Sequence, residues 1–343
     1  MSNEKKIPVT ILTGFLGAGK TTLLNKILSE NHGKKIAVIE NEFGEIGVDH
    51  ALVLKSEEEI FEMNNGCICC TVRGDLIRIL GKLIPKKSKF DYVIIETTGM
   101  AHPTPVAQTF FLDEEIRRHY ELDGIVTLVD AKHVGLHLDE SSECQEQIGF
   151  ADIVLINKSD LVSSQEIENL YSEIYKRNSS AEIHTVKYGD IPFSQLLERR
   201  NFNLDRVLEL KPKFLDQPKS HDHHRHDHSH QKGVSSVGIE VEGELNPERF
   251  QNWISKLLQD SGDHIFRSKG ILNFKSKSQR YVFQGVHALI DGRFDREWGS
   301  DPKKNILVFI GKNLDREKLT QGFMSCLMDP SSSELQSLTS KTI

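Results

Sequence analysis

The segment Gly14-Phe15-Leu16-Gly17-Ala18-Gly19-Lys20-Thr21 constrains this chain most, because such a loop works only between a buried strand and a helix. Both flanks are legible. Val9-Thr10-Ile11-Leu12 is an unbroken apolar run, and Lys20 to Leu28 carries a helical pattern. Four more Val/Ile/Leu-rich runs follow, at Ile36 to Ile39, Tyr92 to Ile95, Ile125 to Val129 and Ile153 to Ile156. Helical patterns lie between them, for example Leu76 to Leu83 and Glu166 to Tyr175. Runs without polar alternation belong to a parallel sheet covered on both faces. The expectation is an α/β fold: a P-loop domain with a doubly wound, mostly parallel sheet over residues 1–211.

Composition breaks after Lys211. Residues 212–233 hold the tract His221-Asp222-His223-His224-Arg225-His226-Asp227-His228-Ser229-His230, which cannot build a core and is expected to be a flexible linker. A smaller α+β domain is expected over 234–330, with strands near Val237 to Val241, Ile271 to Phe274, Tyr281 to Phe283 and Ile306 to Ile310. Helices are expected at Pro247 to Leu258 and Arg316 to Leu327. The Ser-rich 331–343 is expected to be a disordered tail. At 343 residues and a net charge of -7, the chain has room for two domains and lacks the clustered basic charge of a nucleic-acid binder. No apolar run reaches membrane-spanning length and no signal peptide opens the sequence, so no membrane partner and a cytoplasmic setting are expected.

Backbone N–H groups of Gly17, Ala18, Gly19 and Lys20 are suited to wrapping phosphates at a helix N-terminus. Within Gly14 to Thr22, Lys20 is placed to reach the outer phosphates and the Thr21 hydroxyl to ligate Mg²⁺, beside Phe15, Leu16 and Thr22. Asn157-Lys158-Ser159-Asp160 ends the run Ile153 to Ile156, where an α/β sheet presents ligand contacts. The Asp160 carboxylate matches the paired N1–H and N2–H₂ donors of guanine, which adenine lacks, so GTP is favoured over ATP. Lys158 can lay its stem over the base and Asn157 can brace the loop. Glu96-Thr97-Thr98-Gly99 follows the run Tyr92 to Ile95, where Glu96 would organise Mg²⁺ or water and Gly99 would approach the γ-phosphate. No glutamine is plainly set to position the hydrolytic water, so slow intrinsic turnover is expected. Lys20, Thr21 and Glu96 are the candidate catalytic residues.

Three of the five cysteines, Cys67, Cys69 and Cys70, fall within four residues, and a turn can converge their thiolates on one soft or borderline ion. A Cys69–Cys70 disulfide would be strained, which favours metal over redox pairing. Zn²⁺ is the first choice, with Cu⁺, Co²⁺ and Ni²⁺ as alternatives. The acidic segment Glu40-Asn41-Glu42-Phe43-Gly44-Glu45 offers Glu40 or Glu45 as a further ligand. His221, His223, His224, His226, His228 and His230 can collect metal weakly as an auxiliary arm. Cys144 and Cys326 are expected to be buried small hydrophobes.

Together these motifs resemble the CobW-type GTPases, the family of metallochaperones and zinc-regulated GTPase metalloprotein activators. The resemblance spans nearly the whole chain: Ile7 to Thr10, the P-loop, Glu40 to Glu45, Asn64 to Cys70, Glu96 to Gly99, and Gln147 to Asp160. Past the histidines it continues through Phe266 to Leu272 and Val308 to Leu314. It implies that Cys67, Cys69 and Cys70 hold a cargo metal, with GTP gating its transfer to a client metalloprotein, and a homodimer is compatible with it. Family members that dock a methionine aminopeptidase carry a Cys-Pro motif before the first strand, and residues 1–10 contain no cysteine, so the resemblance does not carry that client over. Two other readings stay open: a metal-sensing switch that signals without delivering, and an ATP-dependent P-loop kinase or ligase.

Overall fold

The structure, a computed structural model, describes residues 6–30, 32–41, 60–63, 71–197 and 233–328. Cys67, Cys69, Cys70, Glu45, the six clustered histidines and the expected tail lie outside these residues. The described residues divide into two compact units, one reaching Ser236 and taking in Ile310–Asn313, the other comprising Val237–Phe309 and continuing from Leu314.

In the first unit, β1 (Ile7–Gly14), β2 (Ile36–Asn41), β3 (Ile60–Met63), β4 (Tyr92–Glu96), β5 (Tyr120–Asp130), β6 (Ile153–Asn157) and β7 (Glu182–Thr185) form a seven-stranded sheet. Its order is β3-β2-β4-β1-β5-β6-β7, and every neighbouring pair runs parallel. The five expected runs are β1, β2, β4, β5 and β6. Each residue of β1, β4 and β6 is buried, as strands sandwiched between helical layers require. One layer brings Leu23, Leu24 and Ile27 onto Leu12, Ile94 and Val126. The other brings Ile148, Leu170 and Ile174 onto Val129, Val154 and Ile156.

The helices are α1 (Lys20–Ser29), α2 (Thr71–Leu83), α3 (Thr104–Leu112), α4 (Glu114–His119), α5 (Ser142–Phe150), α6 (Ser164–Arg177) and α7 (Phe193–Leu196). Capping sets several starts: Ser141 accepts the Cys144 N–H ahead of α5, and Ser163 and Glu166 form a reciprocal capping box ahead of α6. The short edge strands β3 and β7 were not expected from sequence. β7 reads Glu-Ile-His-Thr and none of its residues is fully buried, so it lacks the apolar run that marks an interior strand. No helix among the described residues is long and apolar enough to cross a membrane.

The C-terminal region holds β8 (Val234–Glu242), α8 (Pro247–Ser261), β9 (Ile265–Leu272), β10 (Gln279–Val286), β11 (Leu289–Glu297), β12 (Lys304–Lys312) and α9 (Arg316–Met324). Its five-stranded sheet has the order β11-β10-β9-β12-β8, with β10 antiparallel to both neighbours. Asn246 caps α8 through the N–H groups of Glu248 and Arg249, and Pro247 occupies the first turn, where its missing donor costs nothing. Phe250, Ile254 and Leu258 then recur every fourth residue and face the core. Phe250 meets Phe274, Phe283 and Phe323 edge to face at centroid distances of 5.7 to 6.3 Å. The strand expected at Ile271 to Phe274 starts earlier, at Ile265, and ends at Leu272, leaving Phe274 in an isolated bridge with Leu245. β11 was not expected, because Asp, Arg and Glu interrupt its apolar residues at a sheet edge.

Gly270 on β9 makes room for the Phe283 ring, since an added Cβ would stand 2.4 Å from Phe283 Cε1. Gly270→Ala is therefore expected to displace Phe283 and destabilise this unit by about 1–3 kcal/mol, read as an earlier melting transition. Unchanged melting would contradict the packing.

Candidate functional site

β1 delivers the loop 14–19 to the carboxyl edge of the sheet, with β4 on one side and β5 on the other. Gly19 caps α1 in the left-handed region, φ 103°, where an added Cβ would lie 2.5 Å from Asn157 Nδ2. The Ala18 N–H closes onto Phe15 O at 3.1 Å. Lys20 is buried and donates to Gly14 O at 3.0 Å. Thr21 Oγ1 donates to Glu96 Oε1 at 3.2 Å. Thr22 is exposed on the first turn of α1. A curled backbone at a helix N-terminus, with an ammonium and a hydroxyl beside a buried carboxylate, fits a triphosphate and its divalent cation.

β4 ends at Glu96, and the following residues close over the loop. The Thr97 N–H donates to Leu12 O at 2.9 Å, and an added Cβ on Gly99 would stand 2.6 Å from the Leu16 N atom. Gln147, buried on α5, donates through Nε2 to Gly99 O and Ala101 O, both at 3.1 Å. Its neighbour Glu146 takes His102 Nδ1 at 2.7 Å and also the Thr104 hydroxyl. The hydrogen bond to Glu146 pushes the His102 pKa upward against partial burial. α5 thus holds the segment after Glu96 by two adjacent side chains.

β6 presents the other half. Asn157, buried, donates from Nδ2 to Ala18 O at 2.9 Å and accepts the Gly189 N–H at 3.1 Å. Lys158 takes a left-handed backbone, φ 59°, and its ammonium reaches Asp130 Oδ2 at 2.7 Å. Asp160 sits exposed in the short 3₁₀ turn Ser159–Leu161. On the opposite flank Glu40 of β2 is buried and pairs in register with Glu96 of β4.

Asp130 was missed in the sequence. It ends β5 in register with Asn157 and gathers Lys158, His133 and the Lys132 N–H around one carboxylate. Burial alone would raise its pKa; the hydrogen bonds from Lys158, His133 and Lys132 outweigh that and hold it at about 2. Its position at a strand's carboxyl end, level with Asn157, was the available signal. Gln147 gave no signal, because its role depends on the tertiary placement of α5. A cavity of about 560 Å³ beside the loop is walled by Phe15, Leu136, His137, Cys144 and Ile148. Cys144 and Cys326 are buried as expected, and burial pushes the Cys144 thiol up to about 11, which leaves it inert. Among the described residues no group of three or more His, Cys, Asp or Glu side chains could hold a metal ion.

Two family models divide the chain. Residues 8–185 match the CobW/HypB/UreG nucleotide-binding domain, and residues 234–327 match the cobalamin synthesis protein CobW C-terminal domain. The chain belongs to the CobW family. It is accordingly a P-loop GTPase, with GTP and Mg²⁺ as its nucleotide and ion. The zinc chaperone YjiA of Escherichia coli (strain K12) is 39% identical over 322 residues, covering 92% of this chain and 98% of that protein. The zinc-regulated GTPase metalloprotein activator 1 of Schizosaccharomyces pombe is 35% identical, covering 90% and 83%. Among solved structures, zinc-bound YjiA GTPase from E. coli superposes with a TM-score of 0.72 at 33% identity, covering 94% of this chain and 100% of that one.

The Asp130 cluster generates a signed expectation. A carboxyl whose pKa falls from 3.8 to about 2 on folding adds stability that is complete above pH 3.8 and lost as pH drops through 2. Asp130→Asn should cost about 1–2 kcal/mol near neutrality, a gap from wild type that narrows below pH 4. Urea denaturation of both proteins at several pH values measures it, and a gap that widens on acidification would refute the assignment.

Proposed function

We propose that this GTPase is a metallochaperone: it binds Zn²⁺, or a similar transition metal, at Cys67, Cys69 and Cys70 and passes it to a client metalloprotein under GTP control. The observation that carries the coupling is the register of Glu40 with Glu96 on adjacent strands, together with the Thr21–Glu96 hydrogen bond. A candidate cargo ligand and the candidate Mg²⁺ residues therefore share one rigid sheet edge. The names of the similar proteins, a zinc chaperone and a zinc-regulated metalloprotein activator, support the same reading.

In this reading Gly14 to Thr22 cradle the phosphates, Asn157 braces the loop, and Lys158 and Asp160 take the guanine. Lys20 exchanges its Gly14 carbonyl for the outer phosphates, and Gly99 faces the γ-phosphate. Thr21 would hold Mg²⁺, with Glu96 organising its shell, and the ion would supply charge neutralisation at the triphosphate. Loss of the γ-phosphate relaxes the Gly99 contact, and the shift passes along β4 and β2 to Glu40 and the cysteine segment, with Glu45 as a further ligand. Slow intrinsic turnover belongs to this reading, with both Gln147 amide N–H groups spent on the Gly99 and Ala101 carbonyls so that this glutamine acts as a clamp on the segment after Glu96. The six histidines between 221 and 230 act as a weaker collecting arm. The setting is cytoplasmic, the partner a metalloprotein without a nucleic-acid or membrane role, and a homodimer is compatible with it.

Zn²⁺ titration of the purified protein, loaded with GDP or with a non-hydrolysable GTP analogue, tests the coupling. The two affinities should differ about tenfold, which is about 1.4 kcal/mol of coupling. Glu40→Gln should shrink that difference while leaving GTP binding intact, and Cys67, Cys69 and Cys70 changed together to Ser should abolish tight binding. Equal affinities in the two nucleotide states would overturn the reading.

A further inference from the structure

The turn Lys187-Tyr188-Gly189-Asp190 follows β7 and carries an oddity that the GTPase assignment leaves unused. Tyr188 has φ 51° and Gly189 φ 65°, and the Asp190 N–H closes onto Lys187 O at 2.8 Å. Two consecutive left-handed residues inside a closed turn make a type I′ pattern, whose first central position belongs to Asn, Asp or Gly. A tyrosine there is strained backbone, and strain of this kind persists where the surroundings impose it. The surroundings do impose it. The Val186 N–H donates to Ile156 O, the Ser159 N–H and hydroxyl both donate to Val186 O, and the Gly189 N–H is fixed by Asn157 Oδ1. On the other side Asp190 pairs with Lys26 of α1, and an added Cβ on Gly189 would stand 3.2 Å from Leu23.

The Tyr188 side chain gains nothing from this in the protein itself. It is 72% exposed, the largest exposure among the exposed large hydrophobic residues described. A strained backbone supporting an unburied ring is a cost to folding, and it sits one residue from the group that clasps Asn157. Lys158, the other bulky left-handed residue at this edge, follows Asn157 directly and is held by Asp130. The two left-handed residues therefore bracket the Asn157 side chain, one on each of its flanking segments.

We propose that Tyr188 is a nucleotide-binding residue whose ring stacks on the guanine, with the Lys158 stem as the opposing surface. The inference rests on the placement of guanine at Asn157, Lys158 and Asp160. A base has an apolar face that an aromatic ring covers well, and such a contact is worth about 1–3 kcal/mol per base. The phenolic hydroxyl is dispensable, since the ring carries the contact.

Equilibrium binding of GDP to the full chain tests this, with inorganic tripolyphosphate as a probe that lacks a base. Tyr188→Phe should bind GDP within about twofold of wild type, and Tyr188→Ala should bind it about tenfold more weakly, within the range for loss of one stacked base. Tripolyphosphate affinity should be the same in all three. Tyr188→Gly should show the same GDP loss yet melt at a higher temperature, because it relieves the left-handed strain. Unchanged GDP binding in Tyr188→Ala, or an equal loss for tripolyphosphate, overturns the proposal. Asp160→Asn reports on the base site separately: it should shift preference from guanine to xanthine nucleotides. That shift without a Tyr188→Ala loss defeats the stacking alone, and no shift defeats the base placement on which it rests.

Discussion

The side-chain amide of Asn157 is the interaction on which the nucleotide half of this molecule depends. Its donor ends on Ala18 O in the phosphate loop and its acceptor on the Gly189 N–H in the turn after β7. Three segments far apart in sequence are thereby held in one register at the carboxyl edge of the sheet. The group is buried, so each of its hydrogen bonds is expensive to leave unmade. It also dictates its neighbour: no side chain fits at Gly19, because Asn157 Nδ2 already occupies that space.

Around that amide the site is divided by strand. β6 and β5 supply Lys158 and Asp130, and β1 supplies the glycine-rich loop. β4 supplies Glu96 and Gly99, and β2 brings Glu40 alongside Glu96. The parallel sheet makes this division workable, since all of these strands end at the same edge. α5 then ties the β4 side down through Glu146 and Gln147, so the segment after Glu96 is held by side chains rather than by a regular backbone ladder.

The interior strands and the loop between β1 and α1 were legible because burial on both faces leaves unbroken apolar runs, and because glycines at fixed spacing have few other uses. The placement of Asn157, Lys158 and Asp160 at the sheet's carboxyl edge was legible for the same reason: they end such a run. Asp130 also ends one, yet it belongs to no spaced motif and shows its purpose only when β5 lies beside β6. Gln147 and Tyr188 are further from reach. The first depends on which way α5 faces, and the second on a backbone angle that no residue type announces. β7 and β11 escaped because edge strands mix polar and apolar residues and so lose the run that identifies their interior neighbours.

α1 does two jobs at once. Its first turn carries Lys20 and Thr21, and one turn on, Leu23 and Lys26 support Gly189 and Asp190. The helix that opens at the glycine-rich loop is therefore also the backing of the turn after β7, and Asn157 joins the two. The loop and the turn consequently act as one jaw. Neither can move by itself without breaking the Asn157 clasp.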